Sequence, residues 1–123
     1  MRTVLIVDDS PTIRRMVAAS LQSLDDVRFG EASNGLEAIE MLVRESASLM
    51  ILDLNMPDMH GLEVLRFIGA HAQYRGVPVI VLTTRYDDDS RKAALSHGAS
   101  LYLTKPFQPA ALREHVTSLL EAK

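Results

Sequence analysis

Three stretches of this chain are apolar at every position, and each ends abruptly in polar residues. Val4-Leu5-Ile6-Val7 runs into Asp8-Asp9, Leu49-Met50-Ile51-Leu52 into Asp53, and Val77-Pro78-Val79-Ile80-Val81-Leu82 into Thr83-Thr84. A run that is apolar on both faces predicts a strand buried on both sides, as in a parallel sheet. Pro78 lies at the entrance of its run, where a strand tolerates it. Leu101-Tyr102-Leu103-Thr104 predicts a shorter strand ending at Lys105-Pro106, and Val27 to Ala32 a weaker one.

The segments between these runs carry apolar residues at helical spacing. Ser10 is a natural N-cap and Pro11 suits the first helical position, with Ile13, Met16, Val17, Leu21 and Leu24 on one face. Asn34-Gly35 ordinarily suggests a hairpin. The Leu36, Ala38, Ile39, Met41, Leu42, Val43 pattern that follows is helical, so the pair is read as a strand-to-helix turn. Pro57 and Gly61 break the pattern after Leu49-Met50-Ile51-Leu52-Asp53, and Leu62, Leu65, Ile68 and Gly69 then predict a helix. Asp87-Asp88-Asp89-Ser90 places acid at the start of a helix running to about His97, with Gly98 as its C′ residue. Ala110 to Leu120 is the last predicted helix.

Strict alternation of strand and helix implies an α/β chain with a parallel sheet and helices on both faces. In such a sheet the carboxyl ends of all strands share one edge, where ligands bind. Taken alone, Asp53 is equally well the first polar residue of a loop. Taken with Asp8, Asp9, Thr83 and Lys105, it belongs to a set drawn from four separate strand ends that meet in one cleft.

Length and composition narrow what that cleft serves. The chain has 123 residues, enough for one domain with a real core, and 47% are hydrophobic and 24% charged. A net charge of −3 gives no basic footprint for nucleic acid. The absence of cysteine excludes disulfides, thiolate chemistry and cysteine-ligated zinc. No apolar run approaches the roughly 18 residues of a membrane span. The amino-terminal run is too short for a signal peptide, so a cytoplasmic location is the expectation.

Carboxylates crowded together repel and resist full ionisation. A hard divalent cation relieves this, and magnesium takes carboxylate oxygens plus waters. Such a site is completed by an oxyanion, typically a phosphoryl group, to which Lys105 offers a point charge and Thr83 a hydroxyl. These are the parts that stabilise charge in phosphoryl transfer. A carboxylate can itself be the nucleophile. Asp53 is the best choice, being single at the end of a central strand, whereas Asp8 and Asp9 are paired as a cation site requires.

These residues carry a resemblance. The chain resembles the receiver domains of two-component response regulators, of the CheY-like type. The motifs are Val7-Asp8-Asp9-Ser10, Asp53-Leu54-Asn55-Met56-Pro57-Asp58-Met59-His60-Gly61, Thr83-Thr84 and Lys105-Pro106-Phe107, in order, and the likeness spans Val4 to about Leu120. It implies one receiver domain over residues 1–123, with a flavodoxin-like, doubly wound sheet of five parallel strands in the order 2-1-3-4-5 and five helices. It implies Asp53 as phosphoacceptor, with Asp9 and Asp53 ligating Mg2+ through carboxylates, Asn55 through its backbone carbonyl and Asp8 through a water. Thr83 would move its hydroxyl to the phosphoryl group, Lys105 would pair with that group, and Tyr102 would turn inward as Thr83 moves. The Lys105-Pro106 bond would be cis, a form that about 5–6% of such bonds adopt unaided.

The same resemblance implies a signalling protein that phosphorylates and dephosphorylates only itself, in chemotaxis or a related pathway. The donor would be a sensor histidine kinase, a phosphotransfer protein or acetyl phosphate. A downstream protein would dock on residues 87–121 of a monomer or a weak, phosphorylation-dependent dimer, with no membrane or direct nucleic-acid contact. The alternative within the family is a receiver belonging to a larger regulator with DNA-binding or enzymatic output.

Three rivals lie outside that reading. A haloacid-dehalogenase-type phosphohydrolase with a Mg-dependent aspartyl phosphate needs an acid where Asn55 stands, and a covering cap. A flavin binder needs a Ser/Thr/Gly-rich phosphate loop where Asp8-Asp9 stand. A pure binding scaffold leaves the complete acid, threonine and lysine set unexplained. One position departs from the family. Thr84 replaces the usual small residue and narrows access to the cleft. Arg85 either screens the phosphoryl group or points to solvent. His60, His71, His97 and His115 show no ligand spacing and are read as solvated or capping. The methionines are read as core, Asp87 to Asp89 as a helix start, and Arg14, Arg15, Arg91 and Lys92 as solvated helix faces.

Overall fold

The structure, a computed structural model, describes residues 1–57 and 59–122. Asp58 of the second motif and Lys123 lie outside the described residues. The elements are β1 (Arg2–Val7), α1 (Pro11–Leu21), β2 (Val27–Ala32), α2 (Gly35–Arg44), β3 (Leu49–Leu52), α3 (Gly61–Ala70), β4 (Val79–Thr83), α4 (Asp88–Ser96), β5 (Leu101–Thr104) and α5 (Pro109–Glu121). The five strands form one parallel sheet in the order β2-β1-β3-β4-β5, as expected.

Side-chain alternation along the buried strands divides the core into two layers. Val4 and Ile6 of β1, Leu49 and Ile51 of β3, and Ile80 and Leu82 of β4 face α1 and α5. Leu5 and Val7, Met50 and Leu52, and Val79 and Val81 face α2, α3 and α4. A strand apolar at every position is therefore one that must satisfy both layers. The outer strands β2 and β5 are only partly buried, which is why their sequences read less clearly.

Local chemistry sets the helix ends. The side chains of Ser10, Asn34 and Asp87 accept the N–H groups of Ile13, Glu37 and Ser90 at 3.2, 2.9 and 3.0 Å. His60 caps α3 through Nδ1, which accepts the Leu62 N–H at 3.1 Å, while Glu63 accepts the His60 N–H. α4 ends in a Schellman motif: Ala99 N–H reaches the Ala94 carbonyl, Gly98 N–H reaches Leu95, and Gly98 takes φ +104°.

Some boundaries differ from expectation. α1 stops at Leu21, where a turn bonds Leu24 N–H to the Leu21 carbonyl and Leu24 packs on the core from outside the helix. β4 begins at Val79 because Pro78 has no N–H; its carbonyl alone joins the ladder, accepting Met50 N–H at 2.9 Å. α5 begins at Pro109, a residue that fits the first helical position. Met16 is 48% exposed, so it is not core as its spacing suggested.

Gly61 bears most directly on the carboxyl edge. A Cβ there would stand 2.6 Å from the Asp53 carbonyl oxygen and 2.7 Å from Leu54 Cα, so α3 starts in contact with the backbone that carries Asp53. Gly69 of the same helix has open space around it. Gly61→Ala should therefore destabilise by about 1–3 kcal/mol through overpacking, whereas Gly69→Ala should stabilise by up to about 1 kcal/mol through its helix preference. Urea unfolding midpoints check the pair, and shifts in the same direction would refute this account of the packing.

Candidate functional site

Parallel register alone brings the expected residues to one edge. Val7 pairs with Leu52 and Leu52 with Val81, so the residues after β1 and β3 emerge side by side. The ladder continues one step further, with Asp53 N–H on the Val7 carbonyl at 2.9 Å and Lys105 N–H on the Thr83 carbonyl at 2.8 Å. Asp8, Asp53 and Thr83 are buried, Lys105 is partly buried, and Asp9 is exposed.

Lys105 closes the set electrostatically. Its Nζ lies 2.6 Å from Asp8 Oδ2 and 3.6 Å from Asp53 Oδ2. Asp8 Oδ1 accepts the Ser10 N–H at 2.9 Å, and Asp53 Oδ1 accepts the Asn55 N–H at 3.4 Å. Burial raises the Asp53 carboxyl above its ordinary value. The charge of Asp8 adds to that rise, while Lys105, the Thr83 hydroxyl and the Asn55 N–H oppose it. One oxygen from each of Asp8, Asp9 and Asp53 lies within 4.8 Å of the others. Oxygens that close, short of positive charge and open to water on the Asp9 side, suit a small hard cation that keeps several waters.

The Lys105-Pro106 bond is cis. Tyr102 lies partly buried on the α4 side of the sheet, and its hydroxyl donates to the Arg85 carbonyl at 2.9 Å. Arg85 is exposed, yet its side chain is engaged: its Nε donates to Asn55 Oδ1 at 2.8 Å and its Nη1 to Ser90 Oγ at 3.4 Å. The β4–α4 loop is thus tied across the mouth of the cleft to the β3–α3 loop.

Two contributors escaped the sequence reading. The exposed Tyr86 donates its hydroxyl to the Lys105 carbonyl at 2.6 Å, a second tie on the same loop. Its only sequence signal was an aromatic residue in a short loop after a strand end. Arg14, read as a solvated helix face, is instead largely covered, its side chain 15% exposed. Its Nε meets Glu31 Oε1 at 2.8 Å and its Nη1 meets the Asp8 carbonyl. Nothing in the helical pattern distinguished it from Arg15. The histidines do not gather: His60 caps α3, His97 ends α4, and His71 bonds the Phe67 carbonyl.

Comparison with known proteins gives this arrangement its relatives. Residues 4–117 match the family model described as the response regulator receiver domain. A chemotaxis protein CheY homolog of Campylobacter jejuni is 38% identical over 118 residues, covering 95% of this chain and 91% of that protein. Among solved structures, a CheY-like response regulator receiver domain protein from Methanospirillum hungatei superposes with a TM-score of 0.90 at 27% identity, covering 99% of this chain and 95% of that one. The Mn2+-bound form of response regulator Rcp1 gives a TM-score of 0.83 at 29% identity, covering 97% and 91%.

The raised Asp53 carboxyl has a consequence for stability. Because folding favours the protonated form, this contribution is fully present below the unfolded value near 3.8 and is lost as pH rises through the folded value. At neutral pH without divalent cation, ionised Asp53 costs stability, so Asp53→Asn should raise the melting temperature in EDTA. The gain should shrink as pH falls toward about 4. Thermal unfolding across that range checks it; a less stable variant at pH 7, or a gain independent of pH, would contradict the electrostatic reading.

Proposed function

Because the chain belongs to the response regulator receiver domain family, we propose that it is a phosphoacceptor switch of two-component signalling whose acceptor is Asp53. The observation that carries this reading is the meeting of acid oxygens from two strand ends with Lys105 from a third, at 2.6 and 3.6 Å. The donor in this reading is a phosphohistidine on a sensor kinase or phosphotransfer protein, or an acyl phosphate such as acetyl phosphate. An Asp53 carboxylate oxygen attacks phosphorus. The bond to the donor nitrogen or acyl oxygen breaks, and the leaving group takes up the electron pair. Asp9 and Asp53 would hold Mg2+ through their carboxylates, Asn55 through its backbone carbonyl and Asp8 through a water, as the expected ligand set. When bound, the ion neutralises charge that develops on the phosphoryl oxygens. The Mn2+-bound form of Rcp1 supports divalent-cation binding by a protein of this fold.

Lys105 is placed to exchange its Asp8 and Asp53 contacts for a phosphoryl oxygen, and Thr83 offers its hydroxyl to another. A phosphoryl group shifts the population only as far as it is held more tightly in the active arrangement than in the resting one. Thr83, Tyr102 and the loop between them are the elements that respond, because Tyr102 already binds that loop at Arg85. The downstream protein in this reading docks on residues 87–121, which include α4, β5 and α5. Similarity to the Campylobacter protein supports chemotaxis as the pathway. Residues 1–123 make up the receiver domain in this reading. It works in the cytoplasm and has no substrate beyond its own phosphorylation. No described helix is long and apolar enough to cross a membrane. Asn55, bound to Arg85 and lacking an acid proton, argues against a phosphohydrolase.

Incubation with acetyl phosphate and Mg2+ should give one phosphoryl adduct by intact mass, lost in Asp53→Asn and suppressed by EDTA. No adduct, or one that survives the substitution, overturns the assignment. In this reading the Arg85 bridge to Asn55 also screens Asp53 from the hydrolytic water. Arg85→Ala should therefore shorten the half-life of the adduct severalfold, and an unchanged half-life would remove Arg85 from the account.

A further inference from the structure

The four polar handles of Asp8 each have a partner. Its N–H donates to the Ala32 carbonyl, Oδ1 accepts from Ser10 N–H, Oδ2 accepts from Lys105, and its carbonyl accepts from Arg14. The last of these differs in kind. β2 ends at Ala32, opposite Val7, so the Asp8 carbonyl lies beyond the paired register. Arg14, one turn into α1, supplies a donor there, and Glu31 near the end of β2 holds the guanidinium in place at 2.8 Å. Among the described residues, no hydrogen bond or ion pair holds the exposed Asp9 carboxylate. Its position depends on the main chain, and the Asp8 carbonyl belongs to the peptide unit joining Asp8 to Asp9.

We propose that Arg14 is a positioning residue for the acid pair: by fixing the Asp8-Asp9 peptide, it preorganises Asp9 to bind a divalent cation. The inference rests on the proposed cation site. Two effects of Arg14 oppose each other. As a positive charge near a cation site it repels the ion, so charge alone predicts tighter binding when it is removed. As an anchor of the ligand's backbone it favours binding, because partners that orient metal ligands typically contribute about 10–100-fold in affinity. The sign of the mutational effect decides between them. A planar guanidinium also serves Glu31 and the carbonyl at once, which a lysine ammonium reproduces poorly.

The test is Mn2+ binding followed by the free-ion electron paramagnetic resonance signal, with folding verified by thermal unfolding in EDTA. Arg14→Ala should weaken Mn2+ binding about tenfold. Arg14→Lys, which keeps the charge and the aliphatic stem, should also bind more weakly than the wild type. Arg15→Ala, on the exposed face of the same helix, should bind unchanged or slightly more tightly. Wild-type affinity or better in both Arg14 variants overturns the inference while leaving the cation site standing, provided Asp9→Asn loses the ion. If the wild-type chain itself binds no Mn2+, the cation site falls, and the role of Arg14 with it.

Discussion

Two buried carboxylates stand next to each other at the carboxyl edge of this sheet, and the ammonium of Lys105 makes that arrangement tolerable. Asp8 and Asp53 are almost fully covered, and burial raises the Asp53 carboxyl above its ordinary value. Lys105 approaches both, at 2.6 and 3.6 Å, from a strand nearly one hundred residues along the chain from Asp8. The compensation is incomplete, since burial still outweighs Lys105 at the Asp53 carboxyl. A buried charge cluster of this kind is a poor source of stability. It is a good receptor for a group that brings charge of the missing sign, such as a cation, and then for the anion which that cation invites.

The surrounding structure serves to hold that poorly compensated cluster in place. Both faces of the central strands are sealed by apolar layers, so the strand ends cannot drift. Gly61 lets α3 start against the Asp53 backbone, and Arg14 reaches from α1 to the peptide after Asp8. On the other side, the β4–α4 loop is tied at Arg85 and Tyr86 by single hydrogen bonds to Asn55, Tyr102 and Lys105. The contrast is mechanical. Asp8 and Asp53 sit on strand ends fixed by packing, whereas the loop beyond Thr83 hangs on a few exchangeable polar contacts, as a segment that must rearrange does.

The fold was legible because its physical cause is periodic. Strands that satisfy two apolar layers read as unbroken hydrophobic runs, and Val4 to Val7 and Leu49 to Leu52 fall where they were expected. The Ser10 cap was equally plain, whereas Asn34 and Asp87, read as a turn residue and as acid at a helix start, proved to be side-chain caps as well. Boundaries slipped where a backbone donor was missing, as at Pro78, or where a residue joined the core from a turn, as at Leu24. The gathering of Asp8, Asp9, Asp53, Thr83 and Lys105 followed from parallel topology without any knowledge of side-chain positions.

The sequence by itself thus determined the alternation of elements, the parallel sheet, and which side chains arrive at its carboxyl edge, because each depends on local pattern and on strand direction. Tertiary structure alone decided who touches whom at that edge. Arg14 and Arg15 are indistinguishable as letters in one helix, yet one is covered and bound to Glu31 and the Asp8 carbonyl while the other is exposed. Arg85, exposed as its loop position suggests, nonetheless binds Asn55, thirty positions away. Long, flexible cationic side chains choose their partners by reach and by the polar groups left unpaired nearby, and those are set only when the elements have packed.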